Sequence, residues 1–137
     1  MKKIFIFDAY SSNRDLVCEE LAAEGNTVMA TGNLEVVRDS VERLKPDLII
    51  LDLYVRGEIR WDLLFDLKTF HCQIPVLIFT GCIPPRDSRA YFVDAWVQKS
   101  LSFVELKEQI TSLVEGFKEP VAARENYLRL DSERMAS

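Results

Sequence analysis

Three short, continuously apolar runs constrain the fold of this chain more than any other feature of its sequence. They are KKIFIF at residues 2–7, DLIILD at 47–52 and IPVLIFT at 74–80. Uninterrupted apolar residues are typical of strands buried on both faces of a parallel sheet, whereas a half-exposed strand alternates apolar and polar side chains. Two weaker strand patterns, at residues 26–30 and 95–99, bring the set to five.

Helical patterns alternate with these strands. Apolar residues recur at spacings of three and four over residues 12–24, 33–44, 60–69 and 102–115, and two prolines leave room for only a short helix near 86–93. A strand followed by a helix therefore occurs five times in succession. This order predicts an α/β fold with a single, mainly parallel sheet and helices on both of its faces.

Length, charge and cysteine usage limit the class of protein. The 137 residues fit one domain, which we expect at residues 1–116, followed by a tail at 117–137 with a short helix and a disordered end. With 17 basic against 22 acidic residues, the net charge is −5, which argues against nucleic acid as a partner. No apolar run reaches the roughly 18–20 residues that span a membrane. Three cysteines without a CxxC pair indicate reduced thiols and a cytoplasmic location.

Four polar residues stand at the carboxyl ends of the predicted strands. They are Asp8, Asp52, Thr80 and Lys99. Because the carboxyl ends of parallel strands meet at one edge, binding sites of open α/β sheets form there. We therefore expect two carboxylates, a hydroxyl and an ammonium group to share one site.

Taken together, these segments resemble the receiver domain of two-component response regulators over residues 2–115. IFIFDAYSSNRDLV is similar to the first strand and loop of that family, KPDLIILD to the approach to its phosphoacceptor, PVLIFTG to its switch strand, and AWVQKS to its lysine strand. The resemblance implies a doubly wound, flavodoxin-like fold with five parallel strands in the order 2-1-3-4-5. It also implies a signalling domain rather than an enzyme, with at most self-catalysed phosphorylation and dephosphorylation.

The resemblance assigns roles at the strand ends. Asp52 becomes the phosphoacceptor, while phosphoryl binding and switching fall to Thr80, Gly81, Lys99 and Trp96. A carboxylate can attack phosphorus directly and form an acyl phosphate. Phosphoryl transfer otherwise needs mainly alignment and neutralisation of the spread charge, which a fixed lysine supplies.

The implied cofactor is Mg²⁺, held by Asp8, Asp52 and the backbone carbonyl of Tyr54. The family usually has two adjacent acids after its first strand, but here Ala9 replaces the second, with Arg14 in the loop or first turn that follows. The loss of one carboxylate weakens a hard-cation site that relies on oxygen ligands. We therefore expect Mg²⁺ binding to be weak or absent.

The surrounding loops also depart from the family pattern. Arg56 and Arg60 stand where the family favours Pro and Gly after the acceptor; they are either solvated loop charges or a replacement for positive charge that a weakened metal site lacks. Residues 80–99 are about three residues shorter than usual, roughly one helical turn, so we expect a stunted fourth helix.

Three functional hypotheses follow. The first is a stand-alone receiver in a phosphorelay, which accepts a phosphoryl group from a histidine kinase or phosphotransfer protein and signals to a downstream protein target, with no nucleic acid and no membrane involved. The alternative is a degenerate pseudo-receiver that binds proteins independently of phosphorylation. The third is an unrelated flavodoxin-like protein that binds a nucleotide or flavin, but the sequence contains neither GxGxxG nor GxxxxGK[ST].

Overall fold

The computed structural model describes residues 2–115 and has a five-stranded parallel sheet at its centre. In chain order the strands are β1 (Lys3–Phe7), β2 (Thr27–Thr31), β3 (Leu48–Leu51), β4 (Tyr54–Val55), β5 (Glu58–Ile59), β6 (Val76–Thr80) and β7 (Ala95–Gln98). The sheet order is β2-β1-β3-β6-β7, and all neighbours are parallel. Numbered as five principal strands, this order is 2-1-3-4-5, which confirms the predicted topology.

Residues 2–115 contain four α-helices, of which the first three connect strands and the last follows β7. They are α1 (Ser11–Ala23), α2 (Val37–Leu44), α3 (Trp61–Phe70) and α4 (Val104–Glu115). A 3₁₀ helix at Leu34–Val36 precedes α2, and a second at Ser88–Phe92 occupies the place of the short helix predicted near 86–93. The predicted stunting is thus present, but the short element has the 3₁₀ rather than the α conformation.

The apolar strands separate two hydrophobic clusters, one on each face of the sheet. Alternate side chains point to opposite faces, so that Phe5 and Phe7 join one cluster and Ile4 and Ile6 the other. Helices α2 and α3 cover the first cluster, and α1 and α4 the second. Each fully buried Leu, Ile, Val or Phe side chain contributes roughly 1.5–3 kcal/mol. Burial on both faces is why β1, β3 and β6 read as continuous apolar runs.

A small β-hairpin between β3 and α3 is the one element of residues 2–115 that the sequence patterns did not predict. Its strands β4 and β5 are antiparallel and are joined by Arg56 and Gly57, with φ of 53° and 80°. Two central residues with positive φ form the type I′ turn that matches the twist of a two-residue hairpin. The backbone N–H of Arg60 donates to the Leu53 carbonyl at 2.8 Å and closes the base of the hairpin.

The predicted tail at 117–137, and with it the end of the domain at residue 116, lies outside the described residues. Within residues 2–115, no helix is both long and apolar enough to cross a bilayer.

Candidate functional site

The carboxyl ends of four parallel strands carry the residues singled out from the sequence. Asp8 follows β1, Asp52 follows β3, Thr80 ends β6, and Lys99 follows β7. The sheet order reverses at β1, which lies between β2 and β3, so the two aspartates flank the topological switch point where ligands of such sheets bind. We refer to these four residues as the strand-end site.

Lys99 joins the two aspartates of the strand-end site. Its Nζ lies 2.6 Å from Asp8 Oδ2 and 2.9 Å from Asp52 Oδ2. The side chains of both aspartates are 6% exposed and that of Lys99 is 16% exposed. Charge-assisted hydrogen bonds of this length are among the stronger ones in proteins, and their shielding from water limits screening.

The protonation state of Lys99 follows from two opposed effects. Burial lowers the pKa of its ammonium group, but the hydrogen bonds to Asp8 and Asp52 outweigh burial and leave the pKa above its ordinary value of 10.5. Lys99 is therefore a fixed cation at neutral pH, as the neutralisation of a phosphoryl group requires.

The other two carboxylate oxygens are held by main-chain N–H groups. Tyr10 N donates to Asp8 Oδ1 at 2.9 Å, and Tyr54 N donates to Asp52 Oδ1 at 3.0 Å. In each case the donor stands two residues beyond the aspartate, which fixes the carboxylate against the turn that follows its strand. All four carboxylate oxygens of the strand-end site thus have an N–H donor.

Thr80 and Gly81 complete the phosphoryl-binding set predicted from the sequence. Thr80 is only 1% exposed, and its carbonyl accepts from the backbone N–H of Lys99 at 2.7 Å. This bond couples the end of β6 to the residue that carries the ammonium group. Gly81 is exposed and has open space where a Cβ would stand. The two residues thus border the strand-end site at the end of β6.

Trp96 has a different neighbourhood. Its ring is partly buried against the cluster under α2 and α3, and its Nε1 donates to the Cys82 carbonyl at 2.8 Å. This hydrogen bond holds the indole against the loop that follows Thr80. A switching role for Trp96 stays a prediction.

The two loop arginines have separate surroundings. Arg60 forms a two-pronged pair with Asp62, with N–O distances of 2.9 and 2.8 Å. Arg56 is exposed at the tip of the hairpin. The guanidinium of Arg60 is thus paired with Asp62, whereas that of Arg56 is exposed to solvent.

Arg14 is the cation near the strand-end site to which the sequence patterns assigned no role. Its Nη1 donates to the main-chain carbonyl of Asp8 at 2.7 Å. Gly32, just after β2, makes this contact possible, because a Cβ there would collide with Nη1 and approach the Arg14 Cζ to 3.1 Å. Gly32 and Arg14 are 18 positions apart, so no local sequence pattern indicates that they are in contact.

The donor set can be tested against Mg²⁺. The implied ligands were the carboxylates of Asp8 and Asp52 and the carbonyl of Tyr54, which here lies in β4. Over residues 2–115, no cluster of three or more Asp, Glu, His or Cys side chains is arranged to hold a metal ion. A cation at the two carboxylates would also have to share their oxygens with the Lys99 ammonium group or with the main-chain N–H donors of Tyr10 and Tyr54. Two carboxylates already bridged by an ammonium group are a poor match to Mg²⁺, which demands near-ideal octahedral oxygen coordination.

Comparison with known proteins identifies solved structures with the same fold. The response regulator TrrA of Thermotoga maritima, solved in complex with Mg²⁺-BeF, matches with a TM-score of 0.76 at 28% identity, over 82% of this chain and 99% of TrrA. A complex of the histidine kinase ThkA with TrrA matches with a TM-score of 0.75 at 28% identity, over 83% of this chain and 99% of the matched chain.

A chemotaxis protein of Vibrio cholerae, CheY4, matches with a TM-score of 0.74 at 18% identity, over 82% of this chain and 98% of its own, and supports the fold alone. No protein-family model and no curated protein sequence matches the chain. The strand order and the likeness to TrrA together identify the architecture of this chain as that of a response-regulator receiver domain.

Proposed function

We propose that this chain is a receiver that accepts a phosphoryl group on Asp52 from a phosphohistidine and signals through protein contacts. One observation carries the proposal: the Asp52 carboxylate stands at the end of a central strand, with the Lys99 ammonium group 2.9 Å away. A nucleophile and a fixed cation are thus held together at the switch point of a doubly wound sheet.

The proposed reaction is transfer of a phosphoryl group from nitrogen to oxygen. An Asp52 carboxylate oxygen attacks phosphorus and forms a new P–O bond, while the P–N bond of the donor breaks and its electron pair returns to the imidazole. The product is an acyl phosphate on Asp52 and a free histidine that takes up a proton. Lys99 balances charge on the phosphoryl oxygens, the Thr80 hydroxyl donates to one of them, and Gly81 leaves room for the group to enter.

The proposed donor is a histidine kinase or a phosphotransfer protein. TrrA, which is 28% identical to this chain, has been solved in complex with the histidine kinase ThkA, and this supports a kinase as partner. We place the exchange in the cytoplasm, where the free thiols of Cys18, Cys72 and Cys82 are chemically stable. The output would be a change in affinity for a downstream protein.

Labelling with a phosphodonor tests the proposal. The purified chain is incubated with a histidine kinase and ATP, or with acetyl phosphate, and its mass is measured. We expect one added phosphoryl group in the wild type, none in Asp52→Asn, and wild-type labelling in Asp39→Asn, a matched change at an exposed carboxylate in the first turn of α2. Absence of labelling, or labelling that survives Asp52→Asn, contradicts the assignment.

One observation favours the pseudo-receiver as a second candidate. All four carboxylate oxygens of Asp8 and Asp52 already have hydrogen-bond donors, so the site is satisfied without a phosphoryl group. A phosphorylation-independent binding module would show the same partner affinity in the wild type, Asp52→Asn and Asp52→Glu. A clear dependence of partner affinity on the residue at position 52 would exclude it.

A further inference from the structure

The charges around the strand-end site balance without an added ion. The site holds two carboxylates, of Asp8 and Asp52, and the chain brings two cations of its own to it: Lys99 contacts both carboxylates, and Arg14 contacts the main-chain carbonyl of Asp8. We propose that Arg14 and Lys99 take the electrostatic place of a divalent cation, so that the strand-end site works without Mg²⁺. This inference rests on the proposed phosphoacceptor function, and it gives Arg14 a role as a positioning residue.

The first step of the argument concerns Lys99. Its Nζ contacts one oxygen of each aspartate, at 2.6 and 2.9 Å, and so stands between them as a bridging cation. Two buried carboxylates repel each other unless a cation lies between them, and here a side chain supplies that cation.

The second step concerns Arg14. Its guanidinium group donates to the carbonyl of Asp8, the peptide group that leads into Ala9. Ala9 brings no third carboxylate to the site, and the arginine brings a positive charge to the same turn. Compared with a site that has an acid at position 9 and an uncharged residue at position 14, a divalent cation entering here would meet one negative charge fewer and one positive charge more. Both differences lower its affinity.

The third step concerns Gly32, which reserves the space for Arg14. Gly32 does not have a positive φ, so no backbone conformation at this position requires glycine. A Cβ there would collide with the Arg14 guanidinium and lie 3.3 Å from the Asp8 carbonyl oxygen. Gly32→Ala therefore removes Arg14 from its contact while leaving its charge in the chain, and the end of a flexible side chain can move away at little cost.

Calorimetric titration with Mg²⁺ tests the metal half of the inference without any phosphoryl transfer. We expect the wild type to bind Mg²⁺ at least about tenfold more weakly than Ala9→Asp, a difference of about 1.4 kcal/mol. Arg14→Gln and Gly32→Ala should both strengthen Mg²⁺ binding. Arg43→Gln, which removes a positive charge from the last turn of α2, is the matched control and should leave binding unchanged. Equal Mg²⁺ affinity in the wild type and Ala9→Asp overturns the inference.

Labelling of Asp52 by acetyl phosphate, in EDTA and in saturating Mg²⁺, tests whether the strand-end site works without the metal. For the wild type, we expect the labelling rates in EDTA and in saturating Mg²⁺ to agree within about twofold. This agreement corresponds to a difference in barrier below about 0.5 kcal/mol. Arg14→Gln and Gly32→Ala should label more slowly in EDTA and recover when Mg²⁺ is added, which a purely structural defect would not do. A wild type that requires Mg²⁺, or an Arg14→Gln variant that behaves like Arg43→Gln, contradicts the role of Arg14.

The two experiments also separate this inference from the function on which it rests. If Asp52 is labelled in neither condition, the phosphoacceptor proposal fails. The ranking of Mg²⁺ affinities between the wild type and Ala9→Asp still decides whether the chain's own cations have replaced the metal.

Discussion

The Lys99 ammonium group lies 2.9 Å from the Asp52 carboxylate although 47 residues separate the two in the chain. Their strands are not neighbours, because β6 lies between β3 and β7. Adjacent strands are about 4.8 Å apart, so the lysine reaches across roughly 10 Å of sheet. The contact therefore depends on the relative positions of three strand ends. Its loss would change both the charge and the stability of the strand-end site.

Lys99→Met should destabilise the protein because it leaves Asp8 and Asp52 as two buried, unpaired carboxylates. Removing one partner of a fully buried ion pair costs about 3–5 kcal/mol, and we expect a smaller loss here, about 2–3 kcal/mol, since Lys99 is partly exposed. The measurement is the free energy of unfolding in urea.

Lys107→Met is the matched control for Lys99→Met. Lys107 also bridges two carboxylates, those of Glu20 and Glu24, at 2.8 and 2.9 Å, but on an exposed surface. Water screens an exposed pair, so Lys107→Met should cost clearly less stability than Lys99→Met. Equal losses in the two variants would mean that burial at the strand-end site does not strengthen the Lys99 contacts.

The stability that Lys99 contributes should disappear at alkaline pH. Its pKa in the folded state is above the ordinary 10.5, because hydrogen bonds to the aspartates outweigh burial. A group whose folded pKa is raised contributes its stability fully below the unfolded pKa and loses it as the pH rises through the folded pKa. The difference in unfolding free energy between wild type and Lys99→Met should therefore be constant up to about pH 10 and shrink above it. A difference that persists unchanged beyond pH 11 contradicts this.

The sheet could be predicted from the sequence because its central strands are buried on both faces. β1, β3 and β6 are continuous apolar runs. A parallel sheet with helices on both sides buries both faces of such strands. The hairpin β4–β5 was not predicted because each of its strands has only two residues. An alternation of apolar and polar residues cannot be recognised over so short a segment. The turn of the hairpin, Arg56-Gly57, also lacks the Asn or Asp that usually precedes glycine in a type I′ turn.

The strand-end site could be predicted only as far as topology determines it. Parallel strands bring their carboxyl ends together, so Asp8, Asp52 and Lys99 were expected at one edge, and the structure places them in contact. The contact between Arg14 and the Asp8 carbonyl depends on a side-chain conformation and on the space left by Gly32. Such a contact has no periodicity or spacing, and a single sequence therefore gave no sign of it.

The hairpin after Asp52 should depend on Gly57. Its φ of 80° lies in the left-handed region, where a Cβ costs roughly 1–2 kcal/mol. We expect Gly57→Ala to lower the free energy of unfolding by about that amount. Arg56→Gly, at a φ of 53°, should be neutral or slightly stabilising, since it relieves the same kind of strain. The comparison of the two variants by urea unfolding checks the turn type, and a neutral Gly57→Ala would contradict it.

The ring of Tyr54 should slow the hydrolysis of a phosphoryl group on Asp52. The residue is partly buried beside the acceptor, and burial first, then the neighbouring Cys82 thiol and the Asp52 carboxylate, raise the pKa of its hydroxyl. Tyr54→Ala keeps the main-chain N–H that donates to Asp52 Oδ1 but removes the ring that we expect to shield the acyl phosphate from water. We expect dephosphorylation to become about three- to tenfold faster, which corresponds to about 1 kcal/mol in the barrier.

Two variants isolate the contribution of the ring. Tyr54→Phe retains the ring without its hydroxyl and should lose the phosphoryl group at the wild-type rate, because shielding depends on bulk. Tyr91→Ala removes an equal ring from an exposed position in the 3₁₀ helix and should also leave the rate unchanged. The rate is followed as decay of the labelled mass after the phosphodonor is removed. A wild-type rate in Tyr54→Ala would mean that water reaches Asp52 from a direction that the ring does not cover.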